Sequence, residues 1–72
     1  MFVRIKFNQD VYIVVQDSVE SMPYPAQYKR NEIESVDILE KQGGTMYVQF
    51  EDGSVGWIKS RHLEIIHIDL EE

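Results

Sequence analysis

Residues 38–66 read ILEKQGGTMYVQFEDGSVGWIKSRHLEII, and this stretch decides the fold. Met46, Val48 and Phe50 share one face of the segment before Asp52-Gly53, and an apolar segment follows that pair. The stretch therefore predicts two strands, residues 46–51 and 55–59, joined by a tight hairpin. We expect a two-residue type I′ turn at that point, because Asp-Gly suits a turn that needs positive φ at both central positions. Residues 42–44 predict an earlier turn. Ser60–His62 predicts a corner with one 3₁₀ turn, before a last strand at residues 63–70.

The first part of the chain predicts two more strands. Phe2–Phe7 alternates apolar and charged residues, as a half-buried strand does. Residues 11–15 are β-branched except for Tyr12, which predicts a strand covered on both faces. Residues 17–31 contain both prolines and predict one long loop, because proline removes a ladder donor and restricts the residue before it. We expect at most a short helical turn at residues 26–30.

The whole pattern predicts one all-β domain that spans residues 1–72. With strands also expected at residues 34–41 and 46–51, it indicates a small antiparallel barrel of five or six short strands. A chain of this size buries only about 60% of the surface that its unfolded form exposes, so the core is thin.

Composition narrows the functions further. The chain has no cysteine, so disulfides are excluded, and its 13 acidic and 7 basic side chains give a net charge of −6. Nucleic-acid binding draws on Lys and Arg against phosphates, so we expect no nucleic-acid partner. The start of the chain lacks the apolar segment of a signal peptide, and its longest apolar run, residues 11–15, is too short to span a bilayer. We therefore expect a cytoplasmic protein with no membrane association.

The second half of the chain resembles a known family. It is similar to the second half of bacterial SH3-type (SH3b) domains. The similar residues are 36–41, Gly43-Gly44, Tyr47-Val48, 52–58 and 60–63. Those domains carry a Gly-rich turn, a Y-K-V strand and then D-G-x-x-G-W-V-x-S-x-Y-L. A weaker similarity links residues 48–53, V-x-F-x-D-G, to Tudor-type barrels. The resemblance implies an SH3-like barrel. In that register we expect Trp57 to point outward, and Val48, Phe50, Ile58 and Leu63 to point inward.

Three departures separate this chain from the family's usual ligands. Thr45 and Met46 stand where those domains usually have tryptophan, and His62 replaces the usual tyrosine. Lys59 occupies the position of a proline that eukaryotic SH3 domains use to hold proline-rich peptides. The resemblance therefore implies the fold, while the departures argue against a proline-rich peptide as the ligand. A peptidoglycan role is also weakened, because SH3b modules of that kind sit on secreted enzymes.

Aromatic residues are the main candidates for a binding site. Trp57 is the single tryptophan, and tryptophan is enriched in interface hot spots. Three tyrosines would join it around one groove if the long loop folds over the barrel, and such clusters bind peptides or methylated cations. The hairpin tip adds two acidic side chains. The predicted partner site is therefore Trp57, Tyr47, Tyr24, Tyr28, Glu51 and Asp52.

Catalysis and cofactor binding find little support. His62 and His67 lack metal-ligand spacing, and no cysteine is present to complete a zinc site. The serines stand in no nucleophile motif, and a small barrel fills its interior with side chains. We expect no enzyme activity, no metal and no cofactor.

We therefore expect a non-catalytic protein-interaction module: a small accessory subunit, adaptor or inhibitor of a larger bacterial or phage assembly. Two alternatives stay open. One is a recognition barrel for cell-wall glycan or a modified peptide, and the other is an acidic inhibitor that mimics nucleic acid. A homodimer formed by strand addition is a further expectation, because the last strand is strongly apolar: Ile65, Ile66, Ile68 and Leu70.

Overall fold

The computed structural model describes residues 2–18 and 20–69, which form seven strands and one 3₁₀ helix. The 3₁₀ helix is Ser60–His62, as expected, and it leads directly into the last strand. The strands are β1 (Phe2–Phe7), β2 (Val11–Gln16), β3 (Tyr24–Tyr28), β4 (Ile33–Gln42), β5 (Thr45–Phe50), β6 (Val55–Lys59) and β7 (Leu63–Asp69).

All seven strands belong to one antiparallel sheet with the order β3-β2-β6-β5-β4-β1-β7. Strands β4, β5 and β6 form a meander, and β1 lies between β4 and β7. The predicted all-β antiparallel class is confirmed. The expected five or six strands are too few, however, and the sheet is not closed into a barrel, since within the described residues its edges β3 and β7 do not pair with each other.

One face of the sheet carries the core. Successive side chains on a strand point to opposite faces, so every second residue of β1, β2 and β5 is buried. The predicted inward set is confirmed, and so is the outward position of Trp57. The buried apolar residues are Val3, Ile5, Phe7, Val11, Ile13, Val15, Val36, Met46, Val48, Phe50, Ile58 and Leu63.

Strand β3 replaces most of the predicted long loop. The assignment of residues 17–31 to one loop was wrong, and so was the helical turn at 26–30, because Tyr24–Tyr28 pairs along β2. Pro25 is tolerated because β3 is an edge strand, and an edge strand needs hydrogen bonds on one side alone. The chain then turns at residues 29–32, where the Glu32 N–H donates to the Lys29 carbonyl at 3.0 Å. Val19 lies outside the described residues.

Strand β2 is covered on one face, not on both as predicted. Tyr12 is 73% exposed and Val14 is 61% exposed, while Val11, Ile13 and Val15 are buried. The β-branched run therefore alternates in burial although it does not alternate in polarity. Its outward face is apolar and open to solvent.

The hairpin tip also differs from the expectation. The Gly53 N–H donates to the Phe50 carbonyl at 3.0 Å, and the Phe50 N–H donates to the Ser54 carbonyl at 2.8 Å. Among the described residues near this tip, Gly53 alone has positive φ, at 95°. The connection is thus a three-residue turn ending in a glycine bulge, not a two-residue type I′ turn, and Asp-Gly is compatible with both.

The turn predicted at residues 42–44 is present. β4 and β5 are joined by the two-residue turn Gly43-Gly44, in which Gly43 has φ of 61°. The last strand begins at Leu63 as predicted. Leu70, Glu71 and Glu72 lie outside the described residues.

Candidate functional site

A groove opens where β2 and β6 separate. In the described part of the chain, these strands pair at two positions, Val15 with Gly56 and Gln16 with Val55, and then diverge. The resulting groove has a volume of about 410 Å³. It is lined by Tyr12, Ile13, Val14, Val15, Gln16, Pro23, Tyr47, Val55, Gly56, Trp57, Lys59 and His62.

Two aromatic rings form one wall of the groove. Tyr47 on β5 and Trp57 on β6 are directly opposite each other in the sheet register. Their ring centroids lie 4.9 Å apart at an interplanar angle of 36°. Trp57 stays 42% exposed, while its neighbours Gly56 and Ile58 are buried. The pair therefore presents a rigid aromatic surface to solvent on the outer face of the sheet.

Gly56 allows β2 to lie close to β6 at the closed end of the groove. A Cβ atom at Gly56 would lie 3.0 Å from the Val14 carbonyl oxygen and 3.0 Å from Val15 Cγ1. Both distances are tighter than ordinary van der Waals contact. The closed end of the groove thus depends on the absence of a side chain at Gly56.

Two of the predicted site residues lie on the opposite face of the sheet from Tyr47 and Trp57. Tyr24 and Tyr28 are paired with the buried Val15 and Val11, so they share the inner face with them. The predicted groove of four aromatic residues is therefore not formed: Tyr47 and Trp57 come together, while Tyr24 and Tyr28 do not join them.

Tyr28 packs against the core. Its ring stacks on Phe7 at 4.7 Å and on Phe50 at 5.7 Å. Burial raises the pKa of Tyr28 to about 12, and the nearby carboxylates of Glu34 and Glu32 act in the same direction. Its ring is thus largely occupied by contacts within the domain.

Tyr24 is held at the edge of the sheet. Its hydroxyl donates to the Asp17 carboxylate at 2.9 Å, and this hydrogen bond raises the pKa of Tyr24. The ring itself remains accessible, at the start of edge strand β3.

The two acidic residues of the predicted site lie at the hairpin tip, away from the groove. The Asp52 carboxylate accepts hydrogen bonds from the Ser54 hydroxyl at 2.7 Å and from the Ser54 N–H at 2.9 Å, which lower the pKa of Asp52. Burial raises the pKa of Glu34, and the charges of Glu32, Glu51 and Asp52 raise it further. Together these carboxylates make an acidic end beside Tyr28.

Several lining residues were missed by the sequence prediction. Tyr12 and Val14 belong to the run that was expected to be covered on both faces. Burial alternates along β2 but polarity does not, so no local sequence signal separated Tyr12 and Val14 from their buried neighbours. Lys59 was singled out as a departure from the SH3 pattern, yet its place beside Trp57 in a groove was not foreseen.

The groove offers contact surfaces and nitrogen donors. Across residues 2–18 and 20–69, no group of three or more His, Cys, Asp or Glu side chains is placed to hold a metal ion. In the same part of the chain, no helix is long and apolar enough to cross a membrane. The chemistry available at the groove is aromatic stacking, apolar packing and hydrogen bonding from Lys59 and His62.

Comparison with known proteins finds no relative. The chain matches no protein-family model, no curated protein and no solved structure.

Proposed function

We propose that this protein is a non-catalytic protein-interaction module with an SH3-like strand arrangement, which acts as an accessory subunit, adaptor or inhibitor within a larger bacterial or phage assembly. Support for the strand arrangement comes from the meander of β4, β5 and β6, followed by the 3₁₀ corner and β7. These elements span the residues that resemble SH3b domains.

The observation that carries the functional proposal is the Tyr47–Trp57 pair on the wall of an open groove. Exposed contiguous apolar surface on a small domain marks sites where another molecule binds. Tyrosine and tryptophan are enriched at the centre of such sites, because each buries a large area at little conformational cost. Tyr12 and Val14 extend the same surface along β2.

The character of the groove favours a protein partner over catalysis. Among the lining residues in the described chain there is no Ser, Thr, Cys, Asp or Glu, so nucleophilic and carboxylate chemistry have no support there. A partner segment that fills the groove would bury the exposed edges of both rings. That burial is the main source of affinity at an aromatic anchor.

The test is the substitution Trp57→Ala. We expect the variant to fold, because Trp57 lies on the outer face, and to lose partner binding by roughly 30-fold or more, since a hot-spot residue contributes about 2 kcal/mol or more. The measurement is affinity capture from a lysate of the source organism, followed by titration of the recovered partner against each variant.

The matched control is Phe2→Ala. Phe2 is 39% exposed, close to the 42% of Trp57, but it lies on β1, three strands away from β6. We expect this variant to bind as the wild type does. Equal binding by Trp57→Ala and the wild type would show that the groove is not the partner site.

A further inference from the structure

The groove carries a charge opposite to that of the whole molecule. The chain has a net charge of −6, yet none of the lining residues in the described structure is a carboxylate. Lys59 and His62 line the groove, and Arg61 lies beside His62 in the 3₁₀ helix. Glu40 of β4 is paired with Tyr47 of β5, so Tyr47 lies between Glu40 and β6.

The basic side chains are concentrated at one end of the groove. Lys59 follows Trp57 by two residues on β6, so the two share a face and their backbones are about 7 Å apart. β2 runs antiparallel to β6, so Tyr12 lies toward this same end, while Val15 and Gly56 close the other. The groove thus has an aromatic middle, an apolar closed end and a basic open end.

The charge at the open end is mainly that of Lys59. Burial and the neighbouring charges of Arg61 and Lys59 lower the pKa of His62, which favours its neutral form. A neutral imidazole still donates one hydrogen bond. Lys59 therefore supplies the cation and His62 a second donor.

We propose that the groove binds an extended peptide segment of a partner protein in which an apolar side chain packs on Tyr47 and Trp57, and an Asp or Glu side chain two residues away binds Lys59. The spacing follows from the geometry, because residues two apart in an extended peptide also lie about 7 Å apart on one side. This inference rests on the proposed interaction function and assigns the chemistry of the partner.

Two other occupants fit the charges less well. A methylated cation would meet Lys59 with no carboxylate on the groove lining to offset the repulsion. A nucleic acid needs several cations against its phosphates, and this molecule as a whole repels polyanions. An acidic, partly apolar peptide satisfies both the aromatic wall and the basic end.

The experiment is selection from a displayed library of random seven-residue peptides. We expect the wild type to enrich peptides with an acidic residue two positions from an aromatic or aliphatic one. Lys59→Gln should keep the apolar preference and lose the acidic one, and Lys59→Glu should select Lys or Arg at that position instead. For a selected peptide, replacing its acidic residue by the amide should weaken binding to the wild type roughly two- to fivefold, and should have little effect on its binding to Lys59→Gln.

The matched control is Lys41→Gln, which removes the same charge. Lys41 lies on β4, two strands away from β6. It is paired with the buried Met46 of β5, so it is directed to the inner face of the sheet, opposite to the groove. Its selected peptides should match those of the wild type.

The contrary results distinguish failure of this inference from failure of the proposed function. Trp57-dependent peptides with no acidic preference, or with a basic one, would overturn the partner chemistry and leave the interaction module in place. Failure of the wild type to enrich any peptide over Trp57→Ala would overturn both. Trp57-dependent binding of a labelled oligothymidylate would assign the groove to nucleic acid and also overturn this inference.

Discussion

Gly56 and Trp57 are neighbours in the chain with opposite roles in the groove. Trp57 projects outward and forms the wall with Tyr47, 4.9 Å away between ring centroids. Gly56 faces the core and allows the β2 backbone to approach β6. A pleated strand separates these roles, because adjacent residues point to opposite faces. The shape of the groove is thus determined by both residues, although Trp57 alone offers a surface to a partner.

The substitution Gly56→Ala tests the close approach of β2 to β6. The added Cβ would lie 3.0 Å from the Val14 carbonyl oxygen and from Val15 Cγ1, so the strands must separate slightly. We expect a loss of about 1–3 kcal/mol in the free energy of unfolding, the usual cost of overpacking a filled site. Urea denaturation at neutral pH measures it.

Gly44→Ala is the control for this substitution. A Cβ there meets no atom within 4 Å, and Gly44 has no positive φ. We expect its stability to stay within about 0.5 kcal/mol of the wild type. If Gly56→Ala were as stable as Gly44→Ala, the close contact would have no energetic consequence.

The β5–β6 hairpin shows how a side chain can stabilise an element. Ser54 is buried at the base of the tip, and the Asp52 carboxylate accepts hydrogen bonds from both its hydroxyl and its N–H. Buried polar groups are costly unless they are hydrogen-bonded. Asp52 was predicted to contact a partner, and the structure shows a role for it within the turn.

The substitution Asp52→Ala should therefore destabilise the domain. The hydroxyl and N–H of Ser54 lose their acceptor, and leaving such a group unsatisfied costs about 1–3 kcal/mol. Urea denaturation again gives the value. Glu51→Ala is the matched control, because it removes a carboxylate from the adjacent exposed position, and we expect a change within about 0.5 kcal/mol. Equal stability of the two variants would contradict the capping role of Asp52.

The two edge strands differ in how they are protected. β3 is five residues long and contains Pro25, which has no N–H to offer to another chain. β7 is seven residues long, contains no proline, and exposes Ile65 and Ile66. Homodimerisation by strand addition therefore stays a prediction, and β7 is the edge to which it applies.

The prediction of elements succeeded where the signal was local. The limits of β6 and the 3₁₀ helix were predicted to the residue, because the polar residues at 52–54 and 60–62 bracket the apolar segment between them. β3 was missed because Pro23 and Pro25 argue against a strand in general. Its position at an edge, where Pro25 is tolerated, depends on pairing that no local pattern contains.

At the scale of the whole molecule, Tyr28 connects strands that are distant in the sheet order. It lies on edge strand β3 and stacks on Phe7 of β1 and Phe50 of β5. The sheet must curl for these rings to meet. The curled sheet encloses the core by side-chain packing, although its edges are not hydrogen-bonded to each other in the described residues.

The titration of Tyr28 reports on this packing. Its pKa is raised from 10.0 to about 12 in the folded state, so folding favours the neutral phenol. The associated stability is fully present below pH 10 and is lost as the pH rises towards 12, because the unfolded chain releases its proton first. We expect Tyr28→Phe to lose less stability over this interval than the wild type, and to lack the last step in phenolate absorbance.

Tyr12→Phe is the matched control, since Tyr12 is largely exposed and lies on the outer face. This variant should keep the late absorbance step. Identical alkaline unfolding curves for Tyr28→Phe and the wild type would show that the phenol of Tyr28 is not protected by the fold.

The sequence by itself determined the all-β class, the inward set Val48, Phe50, Ile58 and Leu63, and the outward position of Trp57. The class and the inward Val48 and Phe50 follow from alternation and turn residues, which act over a few positions along the chain. The positions of Trp57, Ile58 and Leu63 follow from the resemblance of this stretch to SH3b domains. Only the tertiary structure decided that Tyr47 and Trp57 share a groove with Tyr12 and Val14, while Tyr28 packs on the core and Tyr24 lies at the sheet edge. The reason is physical: the register between strands far apart in sequence sets which side chains meet, and it is fixed by packing of the whole sheet.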